Sequence, residues 1–120
     1  MGIRTSTITR IDTTARASKL VIAGDRVETS GLVANDCTAD VAGQTRDVLA
    51  QLDELLARAD VGREGLLRVQ IWLADMQDFE AMNSVYDAWV GEQHQPARAC
   101  VGAQLASADY LIEIQAWAQR

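Results

Sequence analysis

Leu66-Leu67-Arg68-Val69-Gln70-Ile71-Trp72-Leu73-Ala74 decides the fold. Its apolar residues recur at every second position. The spacing predicts a strand with Leu67, Val69, Ile71 and Leu73 on one face and Arg68, Gln70 and Trp72 on the other. Helical periodicity flanks it on both sides. Upstream, Val41, Thr45, Val48, Leu49, Leu52, Leu55, Leu56 and Ala59 step by three and four along one face, while Gln44, Arg46, Asp47, Gln51, Asp53, Glu54 and Arg58 take the other. Asp40 is placed to cap that helix and Gly62 to end it. Downstream, Asp78 precedes a second stripe of Phe79, Met82, Val85, Tyr86, Trp89 and Val90.

Outside this α-β-α centre the pattern is strand-like. Ile3 to Ile11 alternates β-branched and polar residues. Leu20–Ile22 and Val27–Ser30 flank Gly24-Asp25 and read as a hairpin. A second hairpin is expected at the end, with strands Ala99–Leu105 and Tyr110–Ala118 around Ala106-Ser107-Ala108. The order β-ββ-α-β-α-ββ runs without linker or repeat, so residues 1–120 read as one α+β domain, a two-layer sandwich of a mixed β-sheet with two helices on one face. The other sheet face carries Arg68, Gln70 and Trp72 beside Leu111, Glu113, Gln115 and Trp117. That mixture is too polar for a core and too aromatic for bulk water, which fits a subunit interface and a homo-oligomer.

Composition excludes several classes. The chain is 48% hydrophobic and 23% charged with a single Pro, unlike disordered or low-complexity sequences. Eleven basic residues stand against 17 acidic ones, a net charge of −6, and the basic residues are scattered. No basic patch suits nucleic acid. The apolar runs are only a few residues long, as in Leu20-Val21-Ile22-Ala23, so no membrane span is expected. Met1-Gly2-Ile3-Arg4-Thr5-Ser6 matches a myristoylation pattern, but no polybasic second anchor follows. Two cysteines are too few for a disulfide scaffold and suit a reducing cytoplasm.

Familiar catalytic signatures are absent: no phosphate-binding loop, no nucleophile elbow, no histidine pair at metal spacing. No metal or other cofactor is expected. His94 stands in the polar Glu92-Gln93-His94-Gln95-Pro96 and reads as a solvated loop residue or a general base. Cys100, between Ala99 and Val101, reads as a small buried strand residue or a nucleophile; Cys37 reads as incidental. The sharper signal is Arg98 with Glu113. If the last two strands pair around Ala106-Ser107, Cys100 opposes Glu113 and Arg98 lies one step away. Glu113 sits among Leu111, Ile112 and Ile114, where an ionised carboxylate is costly without a partner. An anion-gripping guanidinium and a structural ion pair both fit that arrangement.

Pro96-Ala97-Arg98-Ala99-Cys100-Val101 followed by Leu111-Ile112-Glu113-Ile114 resembles the C-terminal signature of the reactive intermediate deaminase (Rid, YjgF) family, including the fifteen-residue step from Arg98 to Glu113. Thr29-Ser30-Gly31 resembles the family's turn after the first hairpin. Asp78-Phe79, Met82-Asn83 and Tyr86-Asp87-Ala88-Trp89 resemble its second helix. The resemblance covers nearly the whole chain. It implies a chorismate-mutase-like fold assembled as a homotrimer, with sites in the clefts between subunits. It further implies cofactor-free hydrolysis of small enamine and imine acids of the 2-aminoacrylate type to 2-keto acids and ammonia.

By the same resemblance Arg98 holds the substrate carboxylate, Glu113 handles the attacking water and the departing nitrogen, and Asn83 lines the site. The backbone of Cys100 and the Ser30-Gly31 turn meet the reacting end. Two departures stand out. Arg16-Ala17 replaces the family's Pro-Tyr pair, which removes an aromatic wall, and Gly102-Ala103-Gln104-Leu105 departs from the usual residues before the leucine. Both place the chain in a shorter, divergent branch. The alternative is a non-catalytic trimer that binds a small carboxylate in the same cleft, as a sensor or chaperone-like module.

Overall fold

The computed structural model describes residues 7–120. The Met1–Ser6 pattern and the start of the strand expected from Ile3 lie outside the described residues. Six strands form one sheet: β1 Ile8–Thr13, β2 Ser18–Ala23, β3 Arg26–Thr29, β4 Leu66–Leu73, β5 Ala97–Gly102 and β6 Ile112–Gln119. Two helices, α1 Val41–Arg58 and α2 Phe79–Val90, pack on it. Spatial order is β1-β2-β3-β6-β4-β5. The expected β2–β3 hairpin forms, and Gly24 at its turn takes a positive φ of 62°.

The expected C-terminal hairpin does not form. β4 lies between the two strands, pairing parallel with β5 and antiparallel with β6. The reason is in the connections. Parallel neighbours need a long crossover, and α2 supplies one between β4 and β5, so β5 takes one edge of β4 and leaves the other for β6. The strand bounds shift accordingly, and residues 103–111 become a connection rather than strand and tight turn.

One sheet face and the inner sides of both helices enclose the core. Val69, Ile71, Leu73, Ile112 and Ile114 are fully buried under Leu49, Leu52, Leu56 and Met82. Leu67 departs from its expected place there: it is 53% exposed, because a bulge between Leu66 and Arg68 gives its core position to Leu66. Asp40 caps α1 through Gly43 N (2.8 Å) as expected. Gly62 does not end it; the helix stops at Arg58 and Asp60 adopts the left-handed turn at φ 58°. Asp78 stands at the start of α2 without a side-chain capping bond, whereas Asp75 caps the preceding single turn through Gln77 N.

Gln44 is the largest departure on α1. Placed by periodicity on the polar face, it is fully buried. Its Nε2 donates to the carbonyls of Cys37, Ala39 and Asp109, and its Oε1 accepts from Leu111 N, which ties the 103–111 connection to the helix. At the other end of the helix pair, Trp89 Nε1 donates to Asp53 (3.1 Å), and Arg63 joins both by an ion pair to Asp53 (3.0 Å) and by stacking 4.9 Å from the Trp89 ring centre.

Candidate functional site

Arg98 shares the register of Val69 and therefore points to the helix-covered face of the sheet. There its Nη1 donates to Asn83 Oδ1 at 2.8 Å, and its guanidinium lies 4.8 Å from the Tyr86 ring centre and 5.9 Å from that of Phe79. Asn83 and Tyr86 sit three apart on α2, hence on one side of the helix. The three residues line an open cleft of about 420 Å³, with Asp87 and Pro96 at its rim. Burial pushes the Tyr86 phenol up; the Arg98 charge opposes this and Asp87 adds to it. The ring stays a neutral stacking surface.

Cys100 follows two residues later on β5, on the same face. Burial raises its thiol pKa and Arg98 only partly offsets this, so the sulfur is a neutral thiol at neutral pH rather than an activated nucleophile. Its backbone is placed differently. Ala103 N donates to Leu73 O, and in a parallel ladder alternate residues face the neighbouring strand. Cys100, three positions earlier, has its N–H and C=O on the unpaired edge of β5. His94 is exposed in its loop at φ 66°.

Glu113 pairs with Trp72 and points to the opposite, helix-free face. Its neighbours are the residues just after β3. β3 follows β6 only as far as Glu28↔Trp117, and pairing resumes at Leu32↔Ile114 with bonds of 2.7 and 3.0 Å. Four residues on one side thus span three on the other, which is a bulge carrying Ser30 and Gly31. Gly31 packs directly on the Glu113 side chain: a Cβ there would stand 2.9 Å from Glu113 Cδ and collide with Oε2. A larger residue at 31 would force the Glu113 carboxylate to move.

The sequence-based expectation that Arg98 and Glu113 meet is therefore corrected. They lie on opposite faces of the sheet with β4 between their strands, and no ion pair joins them among the described residues. The structure brings together Arg98, Asn83 and Cys100 at one sheet edge, and Ser30, Gly31 and Glu113 at another place. Three strand spacings, roughly 14 Å, separate Cys100 from the Gly31 backbone.

The Endoribonuclease L-PSP family model matches residues 7–120. The RutC family protein YoaB of Escherichia coli K12 is 40% identical over 109 residues, covering 91% of this chain and 95% of its own. The chain belongs to the YjgF/RutC family. A YjgF-family structure from Neisseria meningitidis superposes with a TM-score of 0.91 at 40% identity, covering 95% of each chain. An uncharacterised Pseudomonas aeruginosa protein gives 0.92 at 33% identity, over 95% of this chain and 99% of that one. The mixed sheet with two helices is thus the YjgF fold.

Within this YjgF/RutC-family chain, the residues that hold the six candidate site residues carry less signal in the sequence than the candidates themselves. Tyr86 and Phe79 fall in the apolar stripe of α2 by periodicity, and their spacing from Asn83 places them beside it. Thr29 and Gln115, which fasten the bulge, carried no signal beyond the Thr29-Ser30-Gly31 resemblance. The helix-free face carries Trp72, Gln70, Gln115 and Trp117 as expected, with Arg68 stacked 4.5 Å from the Trp117 ring centre. Among the described residues no helix is long and apolar enough to cross a membrane.

Proposed function

We propose that this chain hydrolyses small enamine and imine acids to 2-keto acids and ammonia, at sites that each combine the Arg98 half of one subunit with the Glu113 half of another in a homotrimer. One observation carries the reading. Arg98 is half-buried in an acidic protein, held by Asn83 and two aromatic rings, and among the described residues no carboxylate forms an ion pair with it, although Asp87 lines the same cleft. A sheltered guanidinium of that kind calls for an anion, and its remaining donors match a substrate carboxylate.

The halves of one chain cannot serve one small substrate, since they are strands apart on opposite faces. A second copy laid against the free β5 edge brings a Ser30-Gly31-Glu113 group to the Arg98 cleft, and the mixed helix-free face suits such packing. The enamine first tautomerises to the imine. Arg98 then fixes the acid; Glu113 takes a proton from water as its oxygen bonds to the imine carbon and passes it to nitrogen, giving a carbinolamine. Glu113 then relays the carbinolamine hydroxyl proton to the amine as the C=O bond forms, the C–N bond breaks and ammonia leaves. The backbone N–H of Cys100 and the Ser30-Gly31 turn are donors to the reacting end. No cofactor enters. Ala17 stands where the family's tyrosine would wall the site, leaving room for substrates larger than aminoacrylate. The cysteines, both free thiols, fit a cytoplasmic setting.

The test uses imines generated by an amino-acid oxidase and trapped with semicarbazide. The protein should speed imine loss and ammonia release. Arg98→Ala should abolish this with the assembly intact, and Glu113→Gln should lower it by roughly 10²–10⁴-fold while sparing binding. Co-assembling the two variants should restore about a quarter of wild-type turnover, because intact halves from different chains assort independently. No recovery on mixing would refute the shared site. Saturable carboxylate binding without ammonia would favour the binding module. The matched family model bears an endoribonuclease description; a net charge of −6 counts against RNA here, and retained RNA binding at physiological salt would revive that reading.

A further inference from the structure

We infer that Thr29 and Gln115 are positioning residues for Glu113, acting by holding open the bulge that sets Gly31 against its carboxylate. The inference rests on the proposed role of Glu113.

The ladder between β3 and β6 breaks after Glu28↔Trp117. A break inside a sheet leaves backbone groups to satisfy, and here side chains do it. Ala116 N donates to Thr29 Oγ1 at 3.0 Å instead of to a β3 carbonyl, and the Thr29 carbonyl accepts from Gln115 Nε2 at 3.0 Å. The Thr29 hydroxyl passes its own hydrogen to Ser30 O at 2.8 Å, while Ser30 N stays bonded to Lys19 O on β2. Thr29 itself is 4% exposed, so its hydroxyl has few alternatives. Two side chains thus stand in for the missing ladder bonds over the stretch where β3 carries its extra residue.

That extra residue matters for register. With unbroken pairing from Glu28↔Trp117, Leu32 would oppose Glu113 and project a bulky side chain onto the helix-free face. With the bulge, Leu32 opposes Ile114 and is buried at 3% exposure, and Gly31 occupies the space against Glu113. The arrangement could serve burial of Leu32 alone. The two roles separate by experiment, because burial of Leu32 does not require a fixed Glu113 carboxylate.

The variants are Thr29→Val, which keeps shape and removes the hydroxyl, Thr29→Ser, which restores it, and Gln115→Leu on the helix-free face. Each is measured for kcat and KM on the best imine, for the side-chain carbon chemical shifts of Glu113 by NMR, and for amide exchange at residues 30–32. Thr29→Val and Gln115→Leu should lower kcat about 10–10²-fold with KM little changed, as for a slightly misplaced catalytic group, and move the Glu113 shifts. Thr29→Ser should recover most of both. Unmoved Glu113 shifts in Thr29→Val and Gln115→Leu, or unchanged kcat despite faster exchange at 30–32, would overturn the inference. If Thr29→Val does not fold, Gln115→Leu and Thr29→Ser decide it. If wild-type protein turns over no imine, the hydrolase reading fails, while the shifts and exchange still decide whether Thr29 and Gln115 place Glu113.

Discussion

Replacing Gln44 with leucine keeps the side chain's bulk and removes its amide. Four backbone groups then lose their partner: Leu111 N at 3.0 Å, and the carbonyls of Asp109, Ala39 and Cys37 at 3.1, 3.2 and 3.4 Å. Two amide hydrogens serve the three carbonyls, so the loss amounts to about two donated bonds and one accepted bond. Buried groups left unpaired cost roughly 1–3 kcal/mol each, and some carbonyls near the surface can rehydrate, giving a net loss of about 3–5 kcal/mol. At about 4 °C per kcal/mol for a domain of this size, Tm should fall by about 12–20 °C, compared at one protein concentration. Gln44→Glu sharpens the argument. An ionised carboxylate would face three carbonyl oxygens, so the folded state favours its protonated form and raises its pKa. Its stability relative to wild type should be best below about pH 4.3, the unfolded value, and decline as pH rises through the raised folded value. A loss below about 1 kcal/mol for Gln44→Leu would refute the clamp, since it lies outside the cost of even one unpaired buried group.

Gly31→Ala should leave Tm within a few degrees, because the far end of a flexible glutamate can give way, yet lower turnover roughly 10²-fold by displacing that carboxylate. Steady-state kinetics beside a melting curve checks both halves. Cys100→Ser should keep turnover within about threefold, since the proposed mechanism uses the backbone N–H on the free β5 edge and not the burial-raised, neutral thiol, which in wild type should alkylate more slowly at neutral pH than free cysteine. At Asp47, desolvation raises the carboxyl pKa, but bonds from Gln51 and from the Asp36 and Asn35 N–H groups outweigh it and the net shift is downward. Its stabilisation is therefore present above about pH 3.9 and lost as pH falls through the folded value, so the stability gap between wild type and Asp47→Ala, kept small by solvent screening, should be present at pH 7 and close in acid.

The α-β-α centre was legible because burial on one face enforces a period, and β4 and α1 obey it over many residues. The exceptions are polar side chains that satisfy backbone. Gln44 reads as solvent-facing by type, and its burial follows only from the carbonyls of the 37–39 and 103–111 segments that converge on it. Leu67 reads as core by alternation and is turned out by a bulge that no residue in Leu66–Arg68 announces. Strand partnership was the costlier gap. Two adjacent strands with a turn between them suggest a hairpin, yet β4, α2 and β5 in sequence form the unit that makes parallel pairs, and that signal competes directly with the hairpin.

The same competition governs the site. The residue types at 98 and 113 were legible from chemistry, since a lone glutamate amid Ile112 and Ile114 and an arginine amid small residues both ask for partners. Pairing them with each other was the economical answer while β5 and β6 were neighbours. Inserting β4 removes that answer and leaves each charge with its own setting: Arg98 with Asn83, Tyr86 and Phe79, and Glu113 with the Gly31 bulge. An intrachain ion pair would have neutralised both groups and left neither for a substrate. Keeping them apart preserves an uncompensated cation at a free sheet edge and a carboxylate on an uncovered face. Those two features can meet only across a boundary between chains. The topology that defeated the simplest sequence reading is therefore the physical reason to expect chemistry between subunits rather than within one.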